Sequence, residues 1–259
     1  MEDYYLDERG LASYFEAQWL DKVRESGFTE PLLANSKQVP DSFIASLFFL
    51  AAADFIDVGL SEASLAPTNL LEVGPALGRS CYELIKRTPT LRKVTLVEPS
   101  ERLFLNMRKL LMESGTYDFP YIKGLKELAS IEFDTSAIVG SCSHIRFKSI
   151  NAVFDSKTTS DDFDMTVCLN VVDQCGEPSK LVRDLQARTR VNGVLVLSCS
   201  YQWSSKHLKN PDDASADINQ YFNANWTKIG ETELEYRFRF NERFSRLFLS
   251  HVVMYMRTG

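Results

Sequence analysis

The chemistry legible in this sequence gathers on two glutamates and one short loop. Residues 69–84 read NLLEVGPALGRSCYEL: an apolar run ends at Gly74, a turn follows, and a helical pattern begins near Gly78. A strand, turn and helix in that order aim backbone N–H groups and a helix N-terminus at whatever lies above them. Glu98 closes the next apolar run, KVTLVEP at 93–99. An acid at that point can accept hydrogen bonds from both hydroxyls of a ribose. Loop and acid together indicate a ribose-containing cofactor in the crevice at the strand ends.

The spacing Glu72-x-Gly74-x-Ala76-x-Gly78 narrows the cofactor. A dinucleotide needs close approach of backbone to pyrophosphate, which G-x-G-x-x-G supplies. Here Pro75 and Ala76 occupy the middle of the loop, and Glu72 places an acid two residues before the first glycine. That acid suits a cation better than a phosphate. S-adenosylmethionine (SAM) carries an ammonium and a sulfonium and no phosphate, so an acidic strand end complements it.

The elements that must hold these residues follow from periodicity. Leu11, Tyr14, Phe15, Trp19 and Val23 give residues 6–26 a helical period, and a second helix is expected over 41–58, ending near Gly59. Short apolar runs at 69–74, 93–99, 144–150, 163–170 and 193–201 then alternate with helical segments near 78–88, 100–114 and 177–190. This is the pattern of a parallel sheet covered on both faces, a doubly wound α/β fold. A polar helical segment near 213–226 precedes two strand-like runs, ETELEYRFRF and RLFLSHVVMYMR, expected as an antiparallel pair at one end of the sheet. Residues 1–66 are expected as a helical lid and 67–259 as the cofactor-binding domain.

Composition bounds the function. The 259 residues are 44% hydrophobic and 25% charged, with a formal net charge of -6, so a broad nucleic-acid surface is disfavoured. Cys81, Cys142, Cys168, Cys175 and Cys199 form no C-x-x-C pair, which reads as reduced, buried thiols in a cytoplasmic protein. With three scattered histidines, no metal site is implied. The acidic N-terminus MEDYYLDERG is no secretory signal, and the run FIASLFFLAAADFIDVGL, broken by Asp54 and Asp57, reads as a buried helix. A small-molecule substrate is expected, with neither nucleic acid nor membrane as partner; a homodimer stays open.

Four segments in order resemble the class I SAM-dependent methyltransferases: LLEVGPALG their first motif, TLVEPS their second acidic strand end, FDMTVCLNVVDQ their fourth strand and VNGVLVLSCSY their fifth. The resemblance implies a Rossmann-like seven-stranded sheet with SAM as cofactor. It places Gly74, Pro75, Ala76 and Gly78 along the methionine end, with Glu72 supporting that end, and sets Glu98 and Pro99 at the ribose. Asn170 and Val171 would face the sulfonium and methionine. The family's acidic residue after the third strand is replaced by Asn151-Ala152. LNVVDQ also lacks the Asn-Pro-Pro-aromatic turn of nucleic-acid methylases. A narrower likeness, carried by GRSCYELIKR, LNVVDQCGEP, GVLVLSCSYQW and NERFSRLFLSHVVMYMR, is to the mercaptohistidine N-methyltransferase branch. This chain has Asp173-Gln174 where that branch has Asp-Arg, and lacks its Trp-Leu-Gly-Gly stretch.

Candidate catalytic residues are Asn170, Asp173, Tyr201 and Tyr5, with His207 and His251 as further bases or orienting groups. Asp173 is divided between helix capping and substrate contact, and His251 reads better as a satisfied sheet histidine. Tyr4, Tyr5, Tyr201 and Trp203 gather where this fold closes, and aromatic faces attract a sulfonium. Methyl transfer to a small amino-acid-like molecule, at nitrogen or sulfur, is the expected reaction. The alternative is cyclisation of SAM itself with release of methylthioadenosine, as in the similar azetidine-2-carboxylate synthases. A third reading is a SAM-fold binding subunit without catalysis.

Overall fold

The computed structural model describes residues 7–27, 47–203 and 208–259. Helix α1 spans Glu8–Glu25, capped by the Asp7 carboxylate accepting from the Arg9 N–H at 3.0 Å. Leu11, Phe15, Trp19 and Val23 lie buried along one face, and Tyr14 packs edge-on against Phe238 at 4.8 Å between ring centroids. Helix α2, Phe48–Glu62, runs past Gly59. Gly59 therefore lies inside the helix, where a Cβ would stand 2.7 Å from Met254 Sδ. The glycine serves close helix-to-strand packing there.

The sheet has seven strands: β1 Asn69–Val73, β2 Lys93–Val97, β5 Arg146–Ile150, β6 Phe163–Leu169, β7 Thr189–Cys199, β8 Trp226–Asn241 and β9 Phe244–Arg257, in the order β5-β2-β1-β6-β7-β9-β8. Strands β5, β2, β1, β6 and β7 are parallel, and β9 enters antiparallel between β7 and β8. Helices α3 (Arg79–Arg87), α4 (Glu101–Leu111), α5 (Ser136–Ser141) and α6 (Pro178–Arg188) complete the crossovers. Alternate strand residues feed two cores: Leu70, Leu96, Val167 and Met254 on the side of α1–α4, and Leu71, Val97, Cys168 and Val253 on the side of α6. The order reverses beside β1, so a crevice opens at the carboxyl ends of β1 and β6.

Two further features depart from the sequence reading. Residues 116–134, where periodicity predicts no element, form an antiparallel hairpin of β3 (Thr116–Lys123) and β4 (Glu127–Asp134). Pro120 masks β3 as a strand, yet Phe119 stacks on Phe15 at 4.5 Å and an interplanar angle of 3°. The helix expected near 213–226 is absent; two single 3-10 turns, Pro211–Asp213 and Ile218–Tyr221, stand in its place before β8. Asn210 and Asp217 bond the backbone two residues on, at Asp212 and Asn219, which favours turns over a continuing helix.

β8 and β9 outrun β7. Past the pairing of Cys199 with His251 they continue as a two-stranded arm to the Asn241–Phe244 turn and lie against α1 and α2. A buried ion pair fixes this cap: Arg239 Nε and Nη2 donate to Glu16 at 2.6 and 2.5 Å, and Nη2 also donates to the Ile122 carbonyl at 2.9 Å. The Ile122 N–H returns a bond to Glu16 Oε1 at 2.6 Å. Helix, hairpin and arm thus share one charge pair. Arg239→Met should cost about 3–5 kcal/mol by stranding the Glu16 carboxylate, and Glu16→Met with Arg239→Met should cost less than the single change. Urea unfolding of both variants tests this; a single variant as stable as the native chain would contradict it.

Candidate active site

The loop after β1 is built from left-handed backbone. Gly74 has φ 71°, and a Cβ there would come within 2.4 Å of Val171 Cγ2; Gly78 has φ 81°, and its Cβ would meet Leu111 Cδ1 at 2.5 Å. Neither position admits a side chain. Ala76 adopts φ 52° with its methyl in place, a conformation that costs an L-residue roughly 1–2 kcal/mol. Pro75 supplies the carbonyl that accepts from the Gly78 N–H at 2.8 Å, closing the turn.

The donors of this loop are already spoken for. Gln18 Oε1, on buried α1, accepts from the Leu77 N–H at 3.1 Å and the Arg79 N–H at 3.2 Å, and Trp19 Nε1 donates to the Leu77 carbonyl at 3.0 Å. A neutral side chain therefore takes the first N–H of α3 together with that of Leu77 in the loop. Arg79 anchors the same contact through Asp21 at 2.5 and 2.6 Å and Glu83 at 2.8 Å. Gln18 carries no sequence signal for this role; the helical period of α1 reports only its apolar positions.

Glu72 lies beneath the loop, 1% exposed. The Ser80 hydroxyl donates to its Oε1, and no donor reaches Oε2 among the described residues. Burial pushes its carboxyl up to about 7, against the lowering effect of Ser80. Glu98, also buried, closes the other side: Oε2 accepts from the Ala76 N–H and Oε1 from the Ser100 N–H, each at 3.0 Å. Asn151 Nδ2 donates to the Glu98 and Pro99 carbonyls at 2.8 and 3.2 Å, tying the exits of β5 and β2 together; half-buried Ala152 follows it.

At the ends of β6 and β7 the backbone is again left-handed, at Asn170 (φ 53°) and Tyr201 (φ 55°). With Ala76, these put three side-chain-bearing residues in a costly conformation at one edge of the sheet, the kind of clustering found at functional sites. The Asn170 N–H donates to the Ser198 carbonyl and Oγ at 3.1 and 2.9 Å, and Ser198 Oγ donates to Asn170 Oδ1 at 3.0 Å. Asp173 is 1% exposed. Its Oδ2 accepts from Ser200 Oγ at 2.6 Å and from the Ser200 and Gln202 N–H groups at 3.2 Å. It caps no helix: it shapes the exit of β7. Trp203 Nε1 donates to the Ser215 carbonyl at 3.1 Å, and Val171 covers Gly74.

His251 is satisfied on β9, between Tyr201 and Glu231. Tyr4, Tyr5 and His207 lie outside the described residues. All five cysteines are free, and burial pushes Cys142 and Cys175 to about 11 and Cys199 to about 12, so they are neutral thiols. Among the described residues no group of His, Cys, Asp and Glu could hold a metal ion, and no helix is long and apolar enough to cross a membrane. A cavity of about 360 Å³ sits elsewhere, between Arg108 on α4, Cys142 and Phe147 on β5. It lies on the far edge of the sheet and shares no residue with the crevice.

Comparison with protein-family models and with curated protein sequences finds no match. Among solved structures, the N-methyltransferase NodS from Bradyrhizobium japonicum WM9, in complex with S-adenosylhomocysteine, is similar at a TM-score of 0.50 and 13% identity, over 93% of this chain and 99% of that one. A candidate RNA methyltransferase from Pyrococcus horikoshii is similar at 0.50 and 8% identity, over 89% and 91%. The magnesium protoporphyrin IX methyltransferase ChlM from Synechocystis PCC 6803, with bound SAM, scores 0.49 at 13% identity, over 97% and 98%. With the strand order β5-β2-β1-β6-β7-β9-β8, the antiparallel β9 and a glycine loop at the switch point, this chain has the fold of the class I SAM-dependent methyltransferases.

Proposed function

We propose that this protein binds SAM at the carboxyl ends of β1, β2 and β6 and directs methyl transfer to nitrogen or sulfur of a small amino-acid-like molecule. The observation that carries this reading is the buried Glu72 carboxyl, with Oε2 unpaired, under a loop whose Leu77 and Arg79 N–H groups are taken by Gln18. An orphaned acceptor at a buried site calls for a donor, and a cation answers it where a phosphate would be repelled. The residues fit SAM in kind: Glu72 pairs with its ammonium, and Glu98 accepts from its ribose hydroxyls.

Bound there, SAM supplies an electrophilic carbon attached to a sulfonium, with a neutral thioether as leaving group. The chain's own part is positioning and drying. Val171 against Gly74 and the α1 contact with the loop exclude water from the methionine end. Asn170, fixed by Ser198, presents its amide at the end of β6. Asp173 holds the segment carrying Tyr201 beside it. Holding two reactants in line is worth several orders of magnitude without any strong base. A cytoplasmic setting and a role in secondary metabolism fit the neutral thiols and the small acceptor, and belong to the same proposal.

Three measurements test this reading. Glu98→Gln should weaken SAM binding at least tenfold by calorimetry, since a bond to a charged acceptor contributes about 1.5–3 kcal/mol; unchanged affinity would sink the ribose assignment. Glu72 has its carboxyl raised to about 7, and a cation binds the ionised form, so binding must expel a proton below that pH. SAM affinity should therefore rise about tenfold between pH 5.5 and 7, and Glu72→Gln should abolish the rise; a flat profile in the native protein would remove Glu72 from the site. Finally, purified protein should leave SAM intact until L-histidine, L-lysine or L-cysteine is added, and then yield a methylated product by mass spectrometry. Methylthioadenosine formed from SAM alone would replace transfer by cyclisation, and binding without turnover of any probe would leave a non-catalytic SAM subunit.

A further inference from the structure

Beyond the crevice, the exit of β7 carries a chain of polar contacts with a defined direction. Tyr201 Oη lies 2.7 Å from His251 Nδ1 and accepts from the Ile218 N–H at 3.1 Å. His251 Nε2 lies 3.3 Å from Glu231 Oε2, which also accepts from Lys228 Nζ at 2.9 Å and Asn219 Nδ2 at 3.1 Å. The tyrosine and imidazole rings lie 28° from parallel with centroids 6.0 Å apart. A carboxylate can only accept, so Nε2 of a neutral His251 carries the proton and Nδ1 is bare. The phenol proton must then point at Nδ1. One lone pair of Tyr201 Oη is used by Ile218, and one is left over.

The outer end of the line meets solvent: His251 is 13% exposed at its side chain and Glu231 47%. Its inner end belongs to the site. Tyr201 follows Ser200, which Asp173 grips, and Ser198, which is bonded to Asn170. A merely structural tie between β7 and β9 needs none of this ordering, because those strands are already paired from Val194–Met256 to Cys199–His251.

We propose that Tyr201, His251 and Glu231 form a proton-release line for the nucleophile, and that this nucleophile is an amine nitrogen. The inference rests on the SAM-directed alkylation proposed above. As the nitrogen attacks, its bond to carbon forms, the carbon–sulfur bond breaks and its electron pair goes to sulfur. The nitrogen's proton passes to the free lone pair of Tyr201 Oη while the phenol's own proton moves to His251 Nδ1. His251 ends as an imidazolium beside the Glu231 carboxylate, which is in contact with solvent. The class of nucleophile follows from the device. A thiol has a pKa near 8.5 and supplies its thiolate in water unaided, whereas an amine nitrogen still holds a proton when it attacks. The same need applies whether the nitrogen belongs to a separate molecule or to SAM's own amino group, so the line serves transfer and cyclisation alike. Burial raises the Tyr201 phenol to about 12, which fits a conduit that stays protonated at rest and is unsuited to a standing phenolate.

The charged and titratable groups around His251 are Tyr201 and Cys199 on the β7 side, Glu231, Glu233 and Lys228 on β8, and Asp217 near the phenol. His251→Gln keeps a polar amide between Tyr201 and Glu231 but cannot take up a proton, and Tyr201→Phe removes the inner link. With SAM alone and with SAM plus L-histidine as probes, both variants should keep SAM affinity by calorimetry and lose about 100-fold or more in turnover. Independently of turnover, 15N NMR of histidine-labelled native protein should show His251 neutral with its proton on Nε2. Turnover within threefold of native in either variant, or a neutral His251 carrying its proton on Nδ1, would overturn the line. Native protein that binds SAM and turns over neither probe would overturn it too, whereas failure to bind SAM at all would instead overturn the reading of the crevice.

Discussion

The site depends on one contact: Gln18 and Trp19 of α1 on the backbone of residues 77–79. A helix beginning with left-handed Gly78 has no side chain of its own to cap it, and its first N–H groups must find acceptors. Gln18 supplies one oxygen to the first of them, Arg79, and to the Leu77 N–H just before the cap, and Trp19 takes the Leu77 carbonyl. Arg79, buried at the first position of α3, could not stay there as an unpaired charge; Asp21 and Glu83 answer it, and Trp19 lies under its guanidinium at 5.4 Å. The helix that covers the crevice is thereby also the cap of the helix that starts it. Cover and loop form a single packed unit, and the crevice floor inherits its rigidity from a segment far away in sequence.

That coupling explains why the rest of the cap is built as it is. α1 alone could pack on the loop in more than one register. The Glu16–Arg239 pair selects one by requiring α1, β3 and the β8 arm to meet at the same point. Arg9 and Ser13 add bonds to the Phe240 and Arg239 carbonyls at 2.8 and 2.6 Å, so one face of α1 is addressed by a strand more than two hundred residues on. Long-range polar contacts of this kind contribute little net stability and much specificity of docking.

Much of this architecture is legible in the sequence, for a physical reason. Continuous runs such as that of β6, buried along its whole length, follow from a sheet covered on both faces; Glu72, Gly74 and Glu98 stand at strand ends and Gly78 at the start of α3, where spacing puts them. The β3–β4 hairpin is not legible, because Pro120 and the mixed polarity of TYDFPYIKGLKELASIEFD suppress the strand period. Its stability comes from Phe119 and Phe133 packing on Phe15, contacts with no local signature. Asp173 could be read as a cap or a substrate contact because both begin with an acid beside a turn; only the fold shows its oxygen reaching across to Ser200 and Gln202. His251 reads correctly as a satisfied sheet residue, but the identity of what satisfies it depends on the register of β9 against β7 and β8, which sequence patterns leave open.

The electrostatics of the crevice follow from the charge balance of the proposed reaction. An ionised carboxylate with one bare oxygen is expensive in a buried site, and Glu72 avoids that expense by holding a proton below about pH 7. The ligand-free core then contains no uncompensated charge beneath the loop. Arrival of an ammonium reverses the balance, because the charge pair becomes cheaper than the neutral acid beside a desolvated cation. The reaction itself moves the other way: a sulfonium becomes a thioether and positive charge leaves the buried region. A dry site with few fixed charges near the reacting carbon favours that dispersal over a wet one, and it leaves a displaced proton with no acceptor except one built into the protein. The exit of β7, where a phenol, an imidazole and an exposed carboxylate stand in sequence, is the place where this fold provides one.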